Sequence, residues 1–330
     1  MKIKNVKSIL VLIALALLLP LTACGNKENS DAVVIYSNAD EEAIVAIKDA
    51  LDAAGYQDKY IVKTFGTSEL GGKLLAEGKN IEADMMTMSS FYIDSAQDKD
   101  NIFLDFKPDV VPLDKENSEY SYPITVQEGA IFYNTKELEA EGLEVPKSFK
   151  DLTKPEYKDK LSISDVKHSS TAWLTIQALV DNYGEDEAKN ILSKIYENAG
   201  NNIESSGSGP MKKVEVGEAV IGIGLRHQAV LKKAEGKPIE FVDPEEGTYY
   251  LTENLAILNK DNPEKEELCK EMANVILKEA RKEIIKFYPN AVYEGEQEDE
   301  SIKAKDVKKY PEKLTVDLLK EHQELPESAK

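Results

Sequence analysis

The stretch Val33-Val34-Ile35-Tyr36-Ser37-Asn38-Ala39-Asp40 decides how the rest of the chain is read. Four apolar, β-favouring residues run straight into Ser, Asn and Asp; an amphipathic stretch from Glu41 to Ala54 follows and stops at Gly55. A short apolar run suits a strand, Ser, Asn and Asp favour a helix start, and glycine favours a helix stop. The same order repeats downstream: Tyr60 to Thr64 predicts a strand, Leu70 to Glu77 a helix and Ala83 to Thr87 a third strand. Strands alternating with helices predict parallel α/β units, whose ligand loops lie at the carboxyl ends of the strands. No long linker divides the chain, so two lobes would be interwoven rather than strung in series.

Upstream, Lys2, Lys4 and Lys7 precede an apolar run from Ile9 to Leu21, broken only by Pro20, and Leu21-Thr22-Ala23-Cys24 closes it. A basic stub, a short apolar segment and small residues describe a secretory leader. The run is shorter than the ~20 residues a membrane span needs. The Leu-x-Ala-Cys ending resembles the bacterial lipobox, which implies cleavage after residue 23 and lipid on Cys24. Residues 24–30 then read as a tether, and the protein is expected at the extracellular face of the cell membrane. An ordinary signal peptide with an incidental cysteine is the other reading.

Composition narrows the function further. The 61 acidic residues exceed the 41 basic ones, and removing the three leader lysines takes the formal charge from −20 to −23. Such a surface argues against nucleic acid, which clustered Lys and Arg bind. Arginine occurs only as Arg226 and Arg281, so an anion must be held mainly by backbone amides, hydroxyls and lysines. Cys269 has no partner once Cys24 is lipidated, which excludes a disulfide framework; its setting reads as a helix with a small core residue. The three histidines, His168, His227 and His322, form no H-x-x-x-H pair, and no G-x-S-x-G, H-E-x-x-H or Walker loop is present. The expectation is a binding protein, not an enzyme, with neither metal site nor cofactor.

Several stretches together carry a family resemblance over nearly the whole mature chain. They are Val34 to Ser37, Gly66-Thr67-Ser68-Glu69-Leu70, Glu82 to Met85, Gly129 to Thr135, Pro146 through Leu152, Pro155 to Leu161, Val216 to Ala219 and Pro244 to Thr248. In order and spacing they resemble type II periplasmic binding proteins of ABC transporters. The subgroup is the one that binds ferric iron, 2-aminoethylphosphonate and sugar phosphates. The resemblance implies an α/β fold of two lobes joined by extended hinge crossings, with ligand held between them. The expected division is 31–125 with 250–300 in one lobe, 126–249 in the other, and a C-terminal helical tail over 301–330.

Four segments offer ligand chemistry. Ser37 and Asn38 follow the first strand, where they could touch ligand or cap a helix. Ser89 and Ser90 follow the third, in ligand contact or in a plain turn. Ser169, Ser170 and Thr171 sit at a helix start, whose free amides and positive dipole end make an anion seat; capping needs only one of the three hydroxyls. Ser206, Ser208 and Gly209 form a Gly-Ser loop that lets backbone approach an anion. Arg226, His227 and Gln228, after the Ala219 to Leu225 strand, could read the rest of the ligand or cap the next helix. Glu253 or Glu246 could complete that half, or serve as surface or hinge groups.

The resemblance implies that ferric relatives chelate metal through a tyrosine pair where Arg226-His227-Gln228 stands here. Tyr249-Tyr250 reads as strand, and adjacent strand residues face opposite sides. A small phosphorylated organic anion, a sugar phosphate or phosphonate, is therefore the expected ligand, with ferric iron as the alternative. The resemblance also implies that sugar-phosphate relatives carry a histidine near His227. The expected partners are ABC permease subunits, with the protein working as a monomer by hinge closure. A ligand-sensing lipoprotein uncoupled from transport is the reading from another class.

Overall fold

The computed structural model describes residues 31–326. The leader, Cys24, the tether and residues 327–330 lie outside the described residues. The expected alternation is present. β1 (Val33–Ser37) leads to α1 (Glu41–Ala53), β2 (Tyr60–Thr64), α2 (Thr67–Glu77), β3 (Met85–Ser89) and α3 (Ser90–Asp100). α1 buries Ala43, Ile44, Ala46, Ile47 and Leu51, a stripe of helical spacing, and Glu41 and Glu42 complement the dipole in its first turn. β1 lies between β2 and β3 and is parallel to both.

β4 (Ser121–Asn134) then runs for 14 residues and is shared by two sets of strands. α4 (Thr135–Glu141), β5 (Leu161–Ser164), α5 (Thr171–Tyr183), α6 (Glu185–Ala199), β6 (Ile203–Glu204), α7 (Gly209–Glu215), β7 (Ile221–Leu225), α8 (Arg226–Ala234) and β8 (Ile239–Val242) build the second set. β9 (Thr248–Ile257) returns to the first, and α9 (Pro263–Val275), α10 (Arg281–Ile284), β10 (Val307–Lys308) and α11 (Val316–Glu324) complete the fold. The strand order is β2-β1-β3-β9-β4-β7-β5-β6, with β8 on β4 and β10 on β9. From Ser121 to Glu128, β4 is antiparallel to β9; from Gly129 to Asn134 it pairs with β7 and β8. β4 and β9 are thus the extended crossings between two α/β halves. Gly222 of β7 lets Phe132 of β4 lie flat against it, since a Cβ there would stand 2.1 Å from the ring.

Element bounds differ from expectation where tertiary pairing extends or delays a strand. The third strand runs Met85–Ser89 rather than 83–87, because β9 continues the ladder to Ser89 opposite Glu253. Ser89 is therefore strand, not loop, and Ser90 opens a helix. The strand expected from Ala219 starts at Ile221, since the amides of Val220 and Ile221 both donate to the Lys160 carbonyl. The tail helix starts at Val316, where the Thr315 hydroxyl accepts from the Leu318 amide. Cys269 is buried on α9, as its setting predicts. Among the described residues no helix is long and apolar enough to cross a membrane.

Candidate functional site

Parallel strands point their carboxyl ends the same way, so each half offers one edge of helix-opening loops. In the first half β1, β2 and β3 end at Ser37, Thr64 and Ser89, just before α1, α2 and α3. In the second β5, β6 and β7 end at Ser164, Glu204 and Leu225, before α5, α7 and α8. Two ring contacts join the halves. His227 Nε2, at the start of α8, lies 3.6 Å from Asp40 Oδ2 before α1, and its ring stacks 4.1 Å from Tyr288. Trp173 of α5 meets Phe91 of α3 edge-on at 5.0 Å.

The floor of the first edge is a buried polar network. Glu253 of β9 lies opposite Ser89 on one side and Thr125 on the other. Its carboxyl accepts from Asn38 Nδ2 at 3.0 Å and from the Thr125 hydroxyl at 3.3 Å. Asn38 Nδ2 also donates to Thr67 Oγ1 at 2.8 Å, and the Asn38 amide donates to the Thr87 carbonyl. The Thr87 hydroxyl donates to Ser37 Oγ at 2.6 Å, and the Ala39 amide donates to the same oxygen, which closes the turn after β1.

Burial sets the charge of this network. Glu253 is pushed up to about 8, first by desolvation and then by the Asp40 charge, against hydrogen bonds from Thr125, Asn38 and Gln127. It is largely protonated at pH 7. Asp40 rises to about 6 by burial and by Glu42, while burial drives the His227 imidazole down to about 3. The Tyr288 hydroxyl, which donates to Asp40, is raised by burial and by the Asp40 and Glu253 carboxylates. The 3.6 Å contact therefore joins a neutral imidazole to a carboxyl group and is not a buried ion pair.

The second edge is hydroxyl-rich. Ser169, Ser170 and Thr171 are all buried. Ser170 immediately precedes α5 yet makes no side-chain cap bond, and Ser169 Oγ accepts from the Thr171 amide at 3.3 Å. The 205–208 loop packs on them through Gly207, where a Cβ would stand 2.2 Å from Thr171 Oγ1 and 3.2 Å from Ser169 Oγ. The Ser206 carbonyl accepts from Ser164 Oγ, but the Ser206 side chain is exposed; Ser208 is half-buried, and Gly209 is buried against Glu204. α7 has only seven residues, so its dipole adds little beside the 13 residues of α5.

Some unpartnered buried atoms belong to residues of these loop edges. Asn38 Oδ1, both His227 ring nitrogens and Gln228 Oε1 lack a hydrogen-bond partner, four of the nine such side-chain atoms among the described residues. Each orphan costs about 1–3 kcal/mol, so a cluster marks a place to be filled by polar groups from outside the chain.

Other expected residues are turned away. Arg226 donates to Asp243, at 2.6 Å from Nε, and to the carbonyls of Ile302 and Lys303, with its plane over Phe241. Arg226 and His227 are neighbours at a helix start, yet Arg226 binds Asp243 and the 302–303 carbonyls while His227 lies against Asp40. Ser90 Oγ accepts from the Thr252 hydroxyl on the face of β9 opposite Glu253, where both line a cavity of about 1100 Å³. Glu246 accepts from the amides of Phe149 and Lys150 and braces the second half. Tyr249 donates to Asp181 while Tyr250 lines the cavity, so the tyrosine pair is split between faces. Among the described residues no cluster of three or more His, Cys, Asp or Glu could hold a metal ion.

Sequence reasoning passed over Asp40, Thr67, Thr87, Thr125, Gln127 and Tyr288. Asp40 stood inside a quoted motif but read as a cap. Tyr288 carries no local signal, lying 248 residues from its partner.

The fold recurs in known proteins. The family model described as bacterial extracellular solute-binding protein matches residues 83–310. An uncharacterized protein of Haemophilus influenzae is 31% identical over 216 residues, and the match spans 62% of this chain and 62% of that relative. The periplasmic binding protein AfuA of Actinobacillus pleuropneumoniae, solved with exogenous fructose-6-phosphate bound, superposes with a TM-score of 0.75 at 22% identity, over 90% of this chain and 97% of that one. Iron-bound HitA from Pseudomonas aeruginosa gives 0.70 at 21% identity, over 90% and 99%. At these identities the likeness shows the fold, two α/β lobes of the periplasmic-binding-protein type.

Proposed function

The chain belongs to the bacterial extracellular solute-binding proteins, and from that premise we propose that it captures a small phosphorylated organic anion for an ABC importer. What supports the reading is the chemistry at the loop edges of the two halves: buried, uncharged hydroxyls at the start of α5 on one, and buried polar atoms of Asn38, His227 and Gln228 without a partner among the described residues. Ser169, Ser170, Thr171 and the positive dipole end of α5 suit a phosphoryl group without adding charge of their own. Protonated Glu253, Asn38, neutral His227 and Gln228 suit the hydroxyls of a sugar. The fructose-6-phosphate bound to AfuA supports this ligand class. Ser37 closes its own turn through Ala39 and Thr87 and supports Asn38 rather than ligand.

Capture proceeds by closure of the lobe of residues 31–125 and 250–300 upon that of 126–249. Ligand favours the closed form only as far as it binds that form more tightly. Permease subunits then take the closed form, and the anchor is lipid on Cys24, by the motif that ends there. The protein acts by binding and not by catalysis.

Thermal melts of the chain from Lys27 onward test the ligand class against fructose 6-phosphate, glucose 6-phosphate, 2-aminoethylphosphonate, phosphate, ferric citrate and spermidine. A ligand at 100 times its dissociation constant adds about 2.7 kcal/mol. A rise in melting temperature with a hexose phosphate, about halved in Ser170→Ala, is the expected result. A rise with ferric citrate alone defeats it and makes Tyr288, Asp40 and His227 the metal candidates.

A further inference from the structure

The last described segment crosses between the two halves more than once. It is first tied to the second half. Arg226 donates to the carbonyls of Ile302 and Lys303, the Lys305 amide donates to Asp243 at 3.1 Å, and Lys308 Nζ donates to the Glu246 carbonyl at 2.9 Å. It then passes to α3 of the first half, where Lys313 pairs with Asp98 at 3.0 Å and the Val316 amide donates to Ser95 Oγ at 3.3 Å. α11 finally returns to the second half. Trp173 Nε1 donates to His322 Nδ1 at 2.8 Å, and Gln323 Nε2 donates to the Val166 carbonyl at 3.0 Å.

The place where α11 docks gives this stitching a consequence. Leu319 and Val316 are buried in the same apolar cluster as Phe91 and Ala96 of α3 and Trp173 and Ile176 of α5. Trp173, fully buried, touches Phe91 across the seam and His322 on the tail, the latter edge-on at 6.0 Å between ring centres. Moving α3 away from α5 exposes this cluster unless α11 lets go of one side. Val166 and Trp173 flank Ser169, Ser170 and Thr171, so the tail grips the segment that presents the hydroxyls.

We propose that α11 and the strap leading to it form a latch that holds the two halves at closed spacing before ligand arrives. The latch raises the resting population of the closed form, and its release precedes opening. The inference rests on lobe closure as proposed above and is independent of ligand identity.

The test measures a distance without ligand. Spin labels are placed through Val45→Cys on α1 and Val216→Cys after α7, both exposed at 49% and 69%, in the chain from Lys27 onward; Cys269 is buried and stays unlabelled. Pulsed dipolar spectroscopy compares the intact chain, a chain ending at Glu312, and His322→Phe, which removes the Trp173 acceptor. We expect the intact chain to show mainly one short distance. The shortened chain gains a longer one, with the open-to-closed ratio raised roughly tenfold, and His322→Phe changes in the same direction by less. A shortened chain that melts lower with an unchanged distance distribution overturns the latch and leaves a structural buttress. Should shortening abolish the cooperative melt, an unchanged distribution in His322→Phe overturns it equally. Fructose 6-phosphate is added last. Longer distances that it fails to shorten support the latch and count against the ligand proposed above.

Discussion

Replacing Glu253 with glutamine should flatten the protein's pH-dependence of stability. The carboxyl stays protonated in the fold to about pH 8, against 4.5 for the free side chain. Between those values the folded chain holds one proton more than the unfolded chain, so stability falls as pH rises. From pH 4.5 to 7 this amounts to 2.5 units at about 1.4 kcal/mol each, about 3 kcal/mol lost. Glutamine is nearly the same shape, keeps one oxygen to accept from Asn38, can donate from its amide nitrogen to the Thr125 hydroxyl, and cannot ionise. Wild type and Glu253→Gln should therefore be equally stable near pH 5 and diverge towards pH 8, with the variant more stable by about 3 kcal/mol at neutral pH. Urea unfolding of the ligand-free chain at pH 5, 6, 7 and 8 gives both curves. Asp40, raised to about 6, titrates in both proteins, so the difference between them isolates residue 253. Parallel curves would refute the reasoning, because they would mean that water reaches the carboxyl.

Three further outcomes follow from the same geometry, and a fourth from the sequence motif at Cys24. Ser170→Ala should weaken binding of fructose 6-phosphate about tenfold in titration calorimetry while leaving the melting temperature unchanged, since its hydroxyl makes no cap bond. Gly207→Ala sets a Cβ 2.2 Å from the stiff Thr171 hydroxyl; a loss of about 1–3 kcal/mol in urea unfolding and weaker binding are expected together. Arg226→Gln leaves half-buried Asp243 without its cation and should cost about 3 kcal/mol in urea unfolding, with their side chains now 4% and 14% exposed. Cys24→Ser should move the protein from the membrane fraction to the medium in cell fractionation.

Much of the fold was legible because its signals are local. The strand at Val33 to Ser37, the stripe on α1 and the stop at Gly55 each follow from a few adjacent side chains and their backbone preferences. Ser169 to Thr171 could be singled out likewise, since a strand end followed by hydroxyls and a helix is a sequential pattern. Legibility ended where direction mattered. Arg226 and His227 are adjacent, equally polar and both buried, yet one binds the C-terminal strap and the other faces Asp40. Ser89 and Ser90 part in the same way, to opposite faces of β9.

What the chain determined by itself is the set of parts: parallel strands with polar carboxyl ends, and helices that start there. These rest on interactions between residues a few positions apart, where propensity and periodicity act directly. Only the tertiary structure decided which parts form one surface. Glu253 meets Asn38 across 215 residues because β9 returns antiparallel beside β3 and stops its ladder opposite Ser89. Tyr288 reaches Asp40 across 248 residues because α9 and α10 pack on the same face of the sheet as α1. Register and packing choose the face on which a side chain emerges, and a shift of one residue would reverse it.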